Sequence, residues 1–547
     1  MSIIENSDDI EHFISRNIWG KKSIDFHFRQ KTQTNRSDVG LSGYSICQDQ
    51  FIKLKYAQIQ TIIDNVARQL LFSGLKTGDI LALQLPNSIE SQILYLACWQ
   101  QGMVVAPLPT LWREHDIKQA LIRISPQAFI SPILHDGFNY SELMYQIGFD
   151  ISSLRLLFSI GGGNVDGCIA LDEYFNAQVT NDLIVLKPDD YRAVDADSPC
   201  LITFSKDVKG SNTPFYHTHN QLIAAANIFN SLAKPSIGNN ISNPFPPTSI
   251  ATCATTIVSW ALTEAALVCF DGLMATEFQN IETNKAILLL PAAFDEPNLV
   301  SALFNQGLSK LILINKIHAK SAQVTPNENI IDITTFNEYA FIPCLRTSQT
   351  NQIECKNHSY ALLDGETKDN IILTEYVNAA EQSVWQISCS FLPTNTAKVN
   401  NRTNTDIIVN VNTGNESNVT VGNMLVNFAD IELELLNYHG VEDAAILVFD
   451  DKLLGQKPVL AIVPKVGSVI LHHEIVEFLK NKLIATHKIP LELYKIPDIP
   501  RDQFGNIVRH TSKQELLKLV GPTNNNIEVD DLLSVQNQLA NLIAEAK

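Results

Sequence analysis

Gly78-Asp79-Ile80-Leu81-Ala82-Leu83-Gln84-Leu85-Pro86-Asn87-Ser88 is the stretch whose reading decides the fold. Lys76 to Asp79 makes a turn, Ile80 to Leu85 is a short apolar run suited to a buried strand, and Pro86-Asn87-Ser88 opens a helix over Ile89 to Gln101. Upstream, Ile59, Ile62, Ile63, Val66, Leu70 and Leu71 fall at helical spacing within Tyr56 to Phe72, which Ser73-Gly74 ends. Downstream come a strand at Met103 to Pro107, a helix at Glu114 to Ile124 and a strand at Gln127 to Ser131. Strands alternating with helices imply a parallel sheet with crossover helices.

The rhythm resumes at a strand from Ser198 to Phe204 and a helix from Asn220 to Leu232, then at Ala286 to Leu290 and Lys310 to Asn315. Between Ser348 and Asn418 the character of the chain changes, and within it Asn, Thr and Ser crowd Asn395 to Asn418, a polar, turn-rich stretch that suits loops or a linker. From Met424 to Leu519 a new pattern predicts helix (Ala429 to Tyr438), strand (Asp443 to Phe449), strand (Val459 to Pro464), helix (His472 to Ala485) and strand (Tyr494 to Ile496). That is the size of a small α+β domain. The expected fold is therefore α/β: a large N-terminal domain with parallel sheets and crossover helices, and a small C-terminal α+β domain. Residues 1–50 read as a polar leading segment, 51–418 as the large domain, 419–519 as the small C-terminal domain (the lid of the family resemblance given below), and 520–547 as a linker with an amphipathic tail helix. The apolar stripe of that tail (Val529, Leu532, Leu533, Val535, Leu539, Leu542) suits packing on its own domain or a protein partner.

With 547 residues, 45% of them hydrophobic, the chain has core material for two or more domains. A formal charge of −18 argues against nucleic acid and against anionic membrane as partners. Nine scattered cysteines without a CxxC read as buried thiols of a reducing compartment, and no apolar stretch is long enough to span a membrane. The expected location is the cytoplasm. His217 and His219 alternate without a third ligand at metal spacing, so zinc is not expected. Gly161-Gly162-Gly163 lacks the continuation of a phosphate motif and reads as a turn. No Gly-x-Ser-x-Gly elbow marks a hydrolase nucleophile.

Several segments resemble acyl- and aryl-CoA synthetases of the adenylate-forming, AMP-binding superfamily. At the N-terminal end these are the Gly78-Asp79 turn, Leu83 to Ser88, and Gly102-Met103-Val104-Val105-Ala106-Pro107-Leu108. At the C-terminal end they are Ala429-Asp430-Ile431-Glu432, Gly440 to Ala445, Asp450 to Gly455, Lys488-Ile489-Pro490 and Ile499-Pro500-Arg501. The resemblance implies attack of a carboxylate on ATP to give an acyl-adenylate, rotation of the lid, and transfer to a thiol, usually of CoA. Its cofactors would be ATP with Mg and CoA, and its ligands an acyl or aryl acid, the adenylate or the CoA thioester.

Negative charge developing on a phosphate chain calls for free backbone donors and cations. The family supplies both in a Ser-Gly-Thr-Thr-Gly loop with a lysine. Here Leu201-Ile202-Thr203-Phe204 and His217-Thr218-His219-Asn220 frame the loop, but its interior is Ser205-Lys206-Asp207-Val208-Lys209-Gly210-Ser211-Asn212-Thr213-Pro214-Phe215. Gly210 alone of the core remains, Asp207 stands at a glycine, and Thr213 stands at the lysine. The resemblance makes Thr203, Ser205, Lys206, Lys209 and Gly210 nucleotide-binding candidates; an ordinary surface turn is the plainer account, because the Gly-rich nest is lost rather than moved. Asp406 is the counterpart of a ribose-binding aspartate, and Glu338, in Thr334-Thr335-Phe336-Asn337-Glu338, that of the magnesium-holding glutamate. The hinge survives only as Gly414-Asn415, without its arginine. In Pro500-Arg501-Asp502-Gln503-Phe504-Gly505-Asn506, Asn506 stands at the catalytic lysine. Asparagine cannot neutralise an oxyanion, and losing such a group costs on the order of hundreds-fold in rate.

His219, Thr248 and Ser249 are acyl-pocket candidates, and the small residues Ala251, Thr252, Ala254 and Thr255 suggest room for a sizeable apolar group or else close helix packing. The expected function is that of a synthetase-like protein with weak or no adenylation, binding an acyl, adenylate or CoA-type ligand or supporting an active paralogue. The alternatives are a working ATP-dependent acid–CoA ligase or thioester transferase with atypical motifs, and a structural interaction partner.

Overall fold

The computed structural model describes residues 11, 13–176, 193–206, 212–271, 284–295, 297–316, 326–336, 338–346, 359–360, 371–377, 383–390, 407–409, 418–421, 424–451, 455–465, 467–482, 484–485, 488–490, 492–501, 507, 509, 512–513 and 516. Its first elements are α1 (Ile24–Thr34), β1 (Val39–Ser45), β2 (Gln50–Lys55) and α2 (Tyr56–Phe72). There follow β3 (Ile80–Leu83), α3 (Ile89–Gln100), β4 (Val104–Pro107), α4 (Glu114–Ile124), β5 (Ala128–Pro132), the small hairpin β6 (Leu134–His135) and β7 (Phe138–Asn139), α5 (Tyr140–Asp150), β8 (Leu156–Ile160) and β9 (Ile169–Ala170). Next come β10 (Pro199–Lys206), β11 (Asn212–Thr218), α6 (His219–Ala233), β12 (Asn240–Asn243), α7 (Ile250–Cys253), a π turn over Ala254–Val258, α8 (Ser259–Leu262) and β13 (Ala266–Cys269). The region closes with β14 (Ala286–Pro291), α9 (Pro297–Asn305), β15 (Lys310–Lys316), β16 (Asn327–Phe336) and β17 (Ala340–Arg346).

Two sheets organise these elements. One is seven-stranded in the order β11-β10-β4-β3-β5-β8-β9, the other eight-stranded in the order β17-β16-β15-β14-β12-β13-β1-β2. Both are largely parallel, with antiparallel strands at their margins. All twelve residues of α3 are buried. Its polar side chains are put to use: Glu90 accepts the Ser45 hydroxyl at 2.6 Å and the Ile46 N–H at 3.0 Å, which ties the helix to the end of β1. The largest core draws on α1, α2, α3, α6 and the helix running through Ile250 to Ala261.

The reading of residues 1–50 as a polar leading segment is corrected for its described part. Ile24 and Phe28 of α1 and Leu41 of β1 are core residues, and β1 pairs in parallel with β13 inside the eight-stranded sheet. The strand escapes a periodicity search because Gly40, Ser42 and Gly43 dilute its apolar pattern. Gly43 is required there: a Cβ would meet Cys269 Sγ at 2.4 Å. The region from 348 to 418 contains strands, one of them (407–409) within the stretch read as loops or a linker. β18 (Ser359–Tyr360), β19 (Ile371–Val377), β20 (Ser383–Ser388) and β21 (Ile407–Val409) form a four-stranded antiparallel sheet.

The C-terminal part holds β22 (Asn418–Val421), β23 (Met424–Asn427), α10 (Ala429–Leu435), β24 (Val441–Asp451), β25 (Gly455–Pro464), α11 (His472–Asn481) and β26 (Glu492–Lys495). The strands form a five-stranded sheet whose helix-covered face buries Ile431, Leu435, Ile475 and Leu479. Glu432 and Arg509 close it with a bidentate ion pair at 2.5 and 2.9 Å. The tail helix lies outside the described residues. Among those described, no helix is long and apolar enough to cross a membrane.

Candidate functional site

The β10–β11 hairpin carries the candidate phosphate loop. Its register sets Lys206 opposite Asn212, Ser205 opposite Thr213 and Thr203 opposite Phe215. Asp207 to Ser211, with Lys209 and Gly210, lie outside the described residues, as do Asp406, Gly414-Asn415 and Asn506. Thr203 and Ser205 are buried, and Thr203 Oγ1 lies 2.9 Å from His217 Nε2. Burial pushes His217 down to about 3, so its ring is neutral at neutral pH. The other edge of the hairpin meets α4: Asn212 Nδ2 donates to the Asp116 carbonyl at 3.0 Å and Arg123 Nη1 to Thr213 Oγ1 at 3.4 Å. Arg123 thus brings a cation beside Thr213, which the linear motif does not reveal.

Glu338 lies in the turn between β16 and β17, and its Oε2 accepts the Ile250 N–H at 2.8 Å. Ser249 caps the same helix start, its Oγ accepting from the Thr252 N–H while Thr252 Oγ1 accepts the Ser249 N–H, both at 3.2 Å. A carboxylate at a helix N-terminus is stabilised by the unsatisfied amides there. Tyr339 stacks edge-on against Phe215 of β11, with ring centroids 4.7 Å apart. Three segments far apart in sequence, the hairpin, the Glu338 turn and the start of α7, therefore meet.

The acyl-pocket candidates separate. Thr248 lines a cavity between the two sheets with Leu85, Ser91, Tyr95, Pro107 and Pro247. Its free space of about 10 Å³ is that of roughly one water molecule. Tyr95 Oη donates to the Pro247 carbonyl at 2.8 Å across one side. His219 lies elsewhere, beside α1 and α3: its Nδ1 accepts the Ile24 N–H at 3.4 Å, its ring stands edge-on to Trp99, and burial lowers it to about 3. Of the two readings of Ala251 to Thr255, room for an apolar group or close helix packing, the described contacts are those of packing. These residues are buried in helix packing, and the Thr255 hydroxyl donates back to the Ala251 carbonyl at 2.7 Å. A larger surface groove of about 340 Å³, lined by Ser141, Tyr145 and Asp166, shares no residue with the constellation.

Two other features have local explanations. Gly161 and Gly162 have positive φ and direct their N–H groups at Asp172 Oδ1, at 2.9 and 2.8 Å, so the chain's own carboxylate fills that nest. His135 Nε2 lies 3.0 Å from Asp271 Oδ2 and 3.4 Å from Asp136 Oδ2, a partly exposed group just past the end of β13. The pair His217 and His219 share no ligand position, because one faces Thr203 and the other Ile24. In the C-terminal domain, Arg501 forms an antiparallel bridge with Ile507 and pairs with Asp443 at 2.6 Å.

Residues 41–287 match the model of the AMP-binding enzyme family. The medium-chain fatty-acid–CoA ligase of Escherichia coli (strain K12) is 20% identical over 92% of this chain and 92% of its own length. The 2-succinylbenzoate–CoA ligase of Geobacillus sp. (strain WCH70) is 33% identical over a shorter span, 16% of this chain and 17% of its own. Among solved structures, the amide bond synthetase McbA of Marinactinospora thermotolerans superposes with a TM-score of 0.67 at 13% identity, covering 89% of this chain and 99% of that one. The o-succinylbenzoate CoA synthetase MenE of Bacillus subtilis gives 0.67 at 12% identity, covering 90% and 99%.

Proposed function

We infer, for a chain that belongs to the adenylate-forming superfamily of AMP-binding enzymes, that it is an acyl-CoA-synthetase-like protein with weak or no adenylation activity. It binds an acyl, adenylate or CoA-type ligand, or supports an active paralogue. The observation that carries this is the condition of the phosphate site. Thr213 stands at the loop lysine, Asn506 at the lid lysine, and the hinge lacks its arginine. The groups kept around that site already have partners: the Thr203 hydroxyl meets His217, and Glu338 caps α7. Glu338 is the residue that would hold magnesium, and bound Mg–ATP would supply the activated phosphate. With one of its oxygens on Ile250, it would have to serve the helix start and the ion together. The division into a large domain over 51–418 and a lid over 419–519 belongs to the same reading.

A ligase or thioester-transfer step is the second reading. The intact hairpin frame favours it, as does likeness to the fatty-acid–CoA ligase along 92% of the chain. The lid lysine serves adenylation rather than thioester formation, so thioester exchange tolerates Asn506.

ATP–pyrophosphate exchange with a panel of fatty and aryl acids, alongside calorimetric titration of ATP and of CoA, separates the readings. Binding without acid-dependent exchange is expected. Acid-dependent exchange sinks the non-catalytic reading, and failure to bind either ATP or CoA leaves the structural one. Asn506→Lys should raise exchange if the remaining site is competent; an unchanged rate places the defect in the Lys206 to Thr213 loop.

A further inference from the structure

Lys488 and Asp116 are 372 residues apart in sequence, yet Lys488 Nζ lies 2.6 Å from Asp116 Oδ1 with both side chains 1% exposed. A fully buried ion pair is a poor source of net stability, since desolvation offsets much of the attraction. It does enforce one geometry, because either charge left alone in the interior is strongly unfavourable. Both residues are held firmly on their own sides. The Lys488 N–H donates to the Ala485 carbonyl at 2.9 Å, Ile489 enters the lid core, and the Pro490 carbonyl lies 3.0 Å from His472 Nε2. Asp116 sits in the first turn of α4, where the helix dipole favours a carboxylate.

Asp116 faces two ways. Its carboxylate takes the lid lysine, while its backbone carbonyl accepts Asn212 Nδ2 at 3.0 Å, at the foot of β11. Asn212 is itself 1% exposed. On the other strand of the same hairpin, β10 lies against β23 of the lid. One turn of α4 therefore grips the lid and the phosphate-site hairpin together.

We propose that Asp116 is a positioning residue that couples the seating of the lid, through Lys488, to the placement of the β10–β11 hairpin, through Asn212. The coupling is a property of the folded chain and does not depend on nucleotide being bound. It is reciprocal: what unseats the lid loosens the hairpin, and what frees Asn212 loosens the lid.

Hydrogen–deuterium exchange on the full chain tests this. In Lys488→Met, amides of β11 at residues 213 and 215–218 should exchange at least about tenfold faster, together with amides of the lid around Ile489. In Asn212→Ala, lid amides around Ile489 should speed up although that substitution lies outside the lid. The double variant Asp116→Leu/Lys488→Met, which replaces the pair by apolar groups and keeps the carbonyl, should return both regions toward wild-type rates. Faster exchange confined to the lid in Lys488→Met, or confined to the hairpin in Asn212→Ala, overturns the coupling and leaves two separate structural contacts. If Lys488→Met does not fold, the Asn212→Ala result decides alone.

Discussion

At the scale of single residues, Glu338 is the most informative. Glu338 bonds the Ile250 amide, a contact to a charged acceptor. Glu338→Ala should cost about 1–3 kcal/mol in urea unfolding, and Glu338→Gln less because an amide oxygen still accepts. Equal losses would show that hydrogen bonding at Ile250 is not the source. The histidines make a second case. His217 and His219 are lowered from 6.5 to about 3 by burial, so between those values the unfolded chain takes up protons that the folded chain refuses. Stability therefore falls as pH drops from 6.5 toward 3, by at most about 1.4 kcal/mol per pH unit for each ring. A His219→Gln variant should show a shallower slope between pH 6 and 4.5 than wild type; parallel slopes would remove His219 from the account. The identity of both histidines was legible in sequence. Their neutrality was not, since it depends on enclosure by Thr203 on one side and by Ile24 and Trp99 on the other.

At the scale of elements, the helix from Ile250 through Leu262 illustrates how composition alone leaves two meanings open. Ala251, Thr252, Ala254 and Thr255 read equally as the wall of a ligand pocket or as a close-packed face. Their burial selects the second. Ala254→Leu should consequently destabilise the protein by about 1–3 kcal/mol through overpacking, measured by chemical unfolding. A neutral result would point to open space that the packing does not show. Helices and strands with strong periodicity were legible: α2 occupies Tyr56–Phe72 and α4 Glu114–Ile124, as their spacing predicts. β1 was not, because two glycines and a serine hide a strand whose close approach to Cys269 demands small residues. Asp116 did leave a signal, an acidic residue on the buried stripe of α4 with Ile117, Ala120, Leu121 and Ile124. Its partner lies beyond any local window.

At the scale of the whole molecule, the Lys488–Asp116 pair and the contact of β10 with β23 join the lid to the large α/β body. Lys488→Met alone should lower unfolding free energy by about 3–5 kcal/mol, the usual consequence of stranding one buried charge, while the apolar double variant recovers most of it. Both are read from denaturant midpoints at constant slope. No recovery would mean that the ammonium matters for contacts other than its ion pair.

Sequence by itself determined the order of most strands and helices and the α/β class, because periodicity and turn chemistry act within a dozen residues. It also determined that residues 213 and 506 are threonine and asparagine rather than lysine, since identity needs no coordinates. Only the tertiary structure decided that β1 runs inside a sheet, that the space beside Thr248 is nearly closed, that Glu338 serves a helix start, and that Asp116 holds both Lys488 and Asn212. Each of these depends on which side chains meet across tens to hundreds of residues and on how completely water is excluded there. Burial and partner choice are properties of the packed chain.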